Sequence, residues 1–118
     1  MLAPEIPKDE QNRITKLRAL NILDTPAEER FDRLTRMAKG IFKADISIIT
    51  LVDSDRQWFK STTITQDFPA ETGRDISFCA HAILGEQAMV VEDASKDARF
   101  EDNPLVVNAP KIRFYAGY

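Results

Sequence analysis

Ile46-Ser-Ile-Ile-Thr-Leu-Val52 runs into Asp53-Ser-Asp-Arg56 and then into Gln57-Trp-Phe-Lys-Ser-Thr62, and this succession decides the fold. The first segment is apolar on both of its alternating faces. It therefore reads as a strand covered on both sides, central in its sheet rather than at an edge. Asp and Ser bond readily to nearby backbone groups, which makes residues 53–56 a turn. The third segment then returns as the second strand of a hairpin. Trp58 and Phe59 alternate along it and face opposite sides of the sheet.

Upstream of the hairpin the period changes from two to between three and four. Pro4 and Pro7 mark residues 1–8 as an extended lead. From Asp9, a residue suited to capping, Ile14, Leu17 and Leu20 recur at a spacing of three and predict a first helix. Thr25-Pro-Ala-Glu28 has the form of a capping box with proline at the first helical position, which predicts that a second helix starts there. Phe31, Leu34, Ala38 and Ile41 fall on one face of it. Its end is expected between Gly40 and Lys43.

Downstream, residues 63–74 read as a long loop and Ser77 to Leu84 as a short helix. Gly85 stands where a left-handed residue would end that helix. Ala88 to Glu92 reads as a strand, and residues 93–103 as a polar connection with a helical turn, interrupted by Pro104. Lys111 to Ala116 reads as a last strand. The class is α+β, expected as one domain over residues 1–118.

The 118 residues are 43% hydrophobic and 30% charged, with a formal net charge of -3. This balance permits a packed core and gives no concentrated positive field for nucleic acid. No run approaches the roughly 18–20 apolar residues of a membrane span, and the N-terminus lacks the form of a secretory signal. A lone cysteine, Cys79, excludes an internal disulfide and fits a reducing compartment, so the cytoplasm is expected.

Six stretches carry a family resemblance: Ile22-Leu-Asp-Thr-Pro-Ala-Glu-Glu-Arg-Phe-Asp-Arg-Leu34, Leu51-Val-Asp-Ser-Asp-Arg-Gln-Trp-Phe-Lys-Ser61, Arg74-Asp-Ile-Ser-Phe-Cys-Ala-His-Ala-Ile83, Val91-Glu-Asp-Ala-Ser-Lys-Asp-Ala-Arg-Phe100, Asn103-Pro-Leu-Val106 and Ile112-Arg-Phe-Tyr-Ala-Gly117. In this order they resemble GAF domains of bacterial signalling proteins, the branch found ahead of diguanylate cyclase, phosphodiesterase and histidine-kinase modules. The resemblance implies an antiparallel sheet with helices on one side and a connecting helix and loops over the other. It also implies two more strands and a helix beyond Gly117. The chain is therefore expected to be a partial domain with its C-terminal strands missing. Such a domain would be a homodimer through an exposed edge or sheet, or poorly stable alone.

The resemblance further implies a non-enzymatic sensory module that binds a small molecule, such as a cyclic nucleotide, and passes a signal to a downstream effector domain. Carried onto this chain, the pocket would be roofed by residues 63–84 and 93–107 and lined by Trp58, Phe78, Cys79, His81, Asp93, Phe100 and Tyr115. The competing readings are a ligand-free dimerisation module filled by its own side chains and a chromophore or haem sensor. No cofactor is specified. Cys79 and His81 lie two apart on a helix and should point to different sides, which argues against a catalytic dyad. They are also not adjacent, as bilin attachment would want. Asp53, Asp55, Asp93 and Asp97 match no calcium loop and are expected as turn makers and caps. Arg56 and Lys60 are expected to be exposed or salt-bridged.

Overall fold

Ile14 and Leu17 lie on one side of α1 (Glu10–Ala19) and are buried, while Leu20, just past its end, is exposed. The computed structural model describes all residues 1–118. The chain divides into two compact units, one of residues 9–72 and one of residues 1–8 with 73–118. In the first, α1 is followed by α2 (Glu29–Phe42), β1 (Ile48–Val52) and β2 (Arg56–Thr62). β1 and β2 form the expected antiparallel hairpin, with Leu51 opposite Trp58 and an irregularity between Ile49 and Thr50. The turn closes through Asp53 N–H donating to the Arg56 carbonyl at 2.8 Å.

The expected centrality of β1 is corrected. The chain leaving β2 returns as β3 (Glu71–Gly73), and the sheet order is β1-β2-β3. A bond of 3.0 Å from Phe59 N–H to the Ala70 carbonyl marks this return. β2 therefore occupies the middle, and Ile48 to Leu51 are only half-buried. Part of the segment read as a loop is thus a strand.

α2 also departs from expectation at its start. Glu28 is extended and the helix begins at Glu29, so Thr25 caps nothing; its hydroxyl donates to the Ile22 carbonyl instead. The reason is that Thr25, Pro26 and Glu28 are taken up by Lys60. The buried face of α2 is rotated too. Thr35 is its buried residue, while Leu34 and Ile41 are exposed. A polar ladder sets this rotation: Ser61 Oγ donates to Asp32 Oδ1 at 2.6 Å and lies 2.9 Å from Thr35 Oγ1. The end agrees with expectation, since Lys43 closes α2 in the left-handed conformation.

The second unit holds a single-turn 3₁₀ helix (Arg74–Ile76), α3 (Phe78–Ala82), β4 (Met89–Val91), α4 (Pro104–Val107) and β5 (Tyr115–Gly117). β4 and β5 pair antiparallel as a separate two-stranded sheet, with Val91 opposite Tyr115. Ser77 caps α3 by accepting from Ala80 N–H at 3.0 Å. No glycine here has a positive φ, so Gly85 does not act as the left-handed stop. Pro104 opens α4 rather than interrupting a connection, because Asn103 caps that helix through Leu105 N–H at 2.9 Å. The last strand is shorter and later than expected. The core of this unit is Phe78, Val91, Ala94, Phe100 and Val106.

Candidate functional site

Five of the seven residues expected to line a pocket meet in the second unit. Phe78, at the start of α3, stacks on Phe100 with ring centroids 4.1 Å apart and planes within 6°. Tyr115, on β5, packs against Phe78 at 5.1 Å, and His81 meets the Phe100 ring edge-on at 5.0 Å. Tyr115 Oη donates to Cys79 Sγ at 3.3 Å. The two phenylalanines are buried, and Cys79, His81 and Tyr115 are half-buried around them. A packed apolar pair is thus flanked by three polarisable or polar groups.

Cys79 and His81 turn to different partners. His81 Nε2 lies 3.2 Å from the Leu2 carbonyl oxygen. A carbonyl can only accept, so Nε2 carries the proton in this contact. Burial lowers the His81 pKa, opposed by the Leu2 contact and aided by the Arg99 charge. The neutral ring then offers Nδ1 as an acceptor. Burial, with Cys79 beside it, pushes the Tyr115 phenol well above its ordinary value, so it acts as a donor.

Trp58 and Asp93 are placed elsewhere. Trp58 is buried in the unit of residues 9–72, with Lys60 Nζ 6.0 Å from its ring. Asp93 Oδ1 accepts from Ser95 N–H at 3.0 Å and Ser95 Oγ at 2.6 Å, capping a short turn, and those bonds lower its pKa. Asp53 likewise accepts from Ser54 N–H and Arg56, and Asp97 from Arg99 N–H. These carboxylates serve local backbone and arginines, as the turn-and-cap reading expects. Arg56 and Lys60 are salt-bridged, with Lys60 also buried.

Two residues beside the cluster were missed in the sequence. Arg99 holds Asp97 through Nε–Oδ1 at 3.0 Å and Nη2–Oδ2 at 2.8 Å, and its guanidinium lies 5.0 Å from the Phe100 ring centre. The Arg99 side-chain bonds bring Asp97 from its ordinary 3.8 down to about 2. The folded value lies below the unfolded one, so the pair stabilises above pH 3.8 and fades as pH falls toward about 2. Asp97→Asn should flatten the acid-side fall of Tm across that window. An unchanged slope would contradict the pairing.

Gly117 is the other. A Cβ built there would stand 2.0 Å from Tyr115 Oη, so only glycine lets that ring reach Cys79. The available signal was a glycine two residues beyond an aromatic on one strand, hence on the same face.

A family model described as GAF domain matches residues 26–118. A cyclic di-GMP phosphodiesterase of Pseudomonas aeruginosa is 42% identical over 117 residues, covering 99% of this chain and 20% of that protein. The chain thus spans about a fifth of the length of this curated relative.

Proposed function

The chain belongs to the GAF family, and from that premise we propose that it is a non-enzymatic sensory module that binds a small molecule at the Phe78–Tyr115 cluster. Its regulatory role in signalling follows from the family; the ligand and its site are the proposal. The arrangement that supports it is the stacked Phe78–Phe100 floor with Cys79, His81 and Tyr115 around it. Apolar walls with a few convergent polar groups are what small-molecule sites require. A planar, hydrogen-bonding ligand such as a cyclic nucleotide suits that chemistry. It would engage Nδ1 of His81 and compete with Cys79 for the Tyr115 hydroxyl.

One observation favours a second reading. The rim groups already have internal partners, Cys79 for Tyr115 and Leu2 for His81. That is what a ligand-free dimerisation module filled by its own side chains would look like. A thermal-shift series with cyclic AMP, cyclic GMP and cyclic di-GMP separates the two. A ligand at a hundred times its Kd stabilises the native state by about 2.7 kcal/mol, a rise of several degrees. A flat series would reject the sensing reading in favour of the ligand-free one.

Homodimerisation belongs to the proposal. β1 has a neighbour on one side only, and a free strand edge favours pairing with another chain. Sedimentation should show a dimer; a stable, cooperatively folding monomer would refute this part. In a longer protein the signal would pass to an effector, and a cyclic di-GMP phosphodiesterase is one such output by analogy with the relative. No helix is long and apolar enough to cross a membrane. A cytoplasmic setting is proposed on the lone thiol.

A further inference from the structure

We propose that a groove in the unit of residues 9–72 is a second binding site, one that takes the phosphate of a nucleotide-sized molecule. The groove is open to solvent, has a volume of about 710 Å³ and runs between α2, from Asp32 to its C-terminal end, and the chain leaving β2. That volume lies within the roughly 300–1,000 Å³ of small-molecule sites. Arg36, Lys39 and Lys43 line one wall, and Thr62, Thr63 and Thr65 the other.

The cations are unequally committed. Arg36 Nη1 reaches Glu29 Oε2 at 3.2 Å, whereas no ion pair engages Lys39 or Lys43. The hydroxyls are oriented by the backbone: Thr62 Oγ1 accepts from Ile64 N–H at 3.1 Å, and Thr63 Oγ1 from Ser47 N–H at 3.0 Å. Neither hydroxyl donates a hydrogen bond within the chain, which leaves both hydrogens for a ligand. Ammonium groups facing hydroxyl donors across a cleft form an acceptor-seeking site, which a phosphate satisfies. The apolar stems of the long cations, with Gly40 and Ala44, leave room for an organic body.

Two groups oppose an anion. Asp32 also lines the groove, but Ser61 holds its Oδ1. The carbonyl end of α2 carries partial negative charge. The site therefore depends on both lysines together.

The test is an NMR titration of the chain with adenosine 5′-monophosphate, using adenosine as the phosphate-free control. Saturable shifts are expected at the amides of residues 39–44 and 62–65 with the monophosphate and not with adenosine. Lys39→Gln with Lys43→Gln should weaken binding by about tenfold or more, the scale of one lost charge-assisted bond. Lys16→Gln with Lys96→Gln, which removes the same charge elsewhere, should not. No saturable shift at those amides, equal response to adenosine, or equal weakening by both double variants would overturn the site. Since these amides lie apart in sequence from residues 78–81, 100 and 115, failure here is distinct from failure of the sensing reading.

Discussion

Phe100→Ala should lower stability by about 4 kcal/mol, the largest effect of any single side chain considered, because it empties a fully buried ring from a packed site. Phe100 is 1% exposed and has Phe78 stacked on one face and Arg99 over its ring. Both partners would lose contact, and the core cannot close over a void of that size without moving β4 and α4. For a chain of this length the cost corresponds to a fall in Tm of roughly 15–20 °C. It is also a large share of the roughly 5–15 kcal/mol that holds a typical domain folded. Phe100→Leu, which keeps most of the volume and loses the stack, should cost only about 1–2 kcal/mol. Thermal melts followed by circular dichroism measure both. A loss under about 1 kcal/mol for the alanine variant would mean that the ring is not part of a packed core.

Lys60→Met should cost about 2 kcal/mol for a different reason: it removes the one donor that three acceptors share. Lys60 is 4% exposed, and its ammonium meets Thr25 Oγ1 at 2.8 Å, the Pro26 carbonyl at 2.7 Å and Glu28 Oε2 at 2.6 Å. Its three hydrogens are thereby used, and the Phe31 ring centre lies 5.4 Å away. Methionine fills the stem's volume but donates nothing. Glu28 is 38% exposed and Pro26 is exposed, so both can regain water, and the cost falls on half-buried Thr25 and on the loss of three charge-assisted bonds. Arg56 grips the same segment through Asp24, at 2.8 Å for both oxygens. Two cations of β2 therefore latch residues 24–28 to the sheet. The variant should melt roughly 10 °C lower, with amide exchange accelerated first at residues 22–30. Unchanged melting would show that the latch contributes nothing.

That latch explains much of what the sequence did and did not disclose. The hairpin at residues 48–62 was legible because a short apolar run and an aromatic return segment flank an Asp-Ser turn, a local signal. The end of α2 was legible for the same reason. Its start was not, because Thr25 and Glu28 fit a capping box locally but are claimed by a lysine more than thirty positions away. The face of α2 was misjudged because Asp32, Ser61 and Thr35 bond to one another, and polar contacts across elements leave no hydrophobic period. β1 reads as central from its composition, but which strand lies in the middle depends on residues 71–73 returning to β2. In the candidate site Phe78, Cys79, His81, Phe100 and Tyr115 were legible as neighbours, but Trp58, expected with them, lies in the unit of residues 9–72. Arg99 and Gly117 were not legible, because their roles are a stacking charge and an absent side chain.

The lone thiol gives the most direct test of ligand entry at the cluster. Cys79 is half-buried beside Tyr115, so its rate of reaction with a thiol reagent reports on whatever occupies the rim. A saturating cyclic nucleotide should slow labelling of Cys79 several-fold. A rate indifferent to cyclic AMP, cyclic GMP and cyclic di-GMP alike would contradict the proposed sensing role.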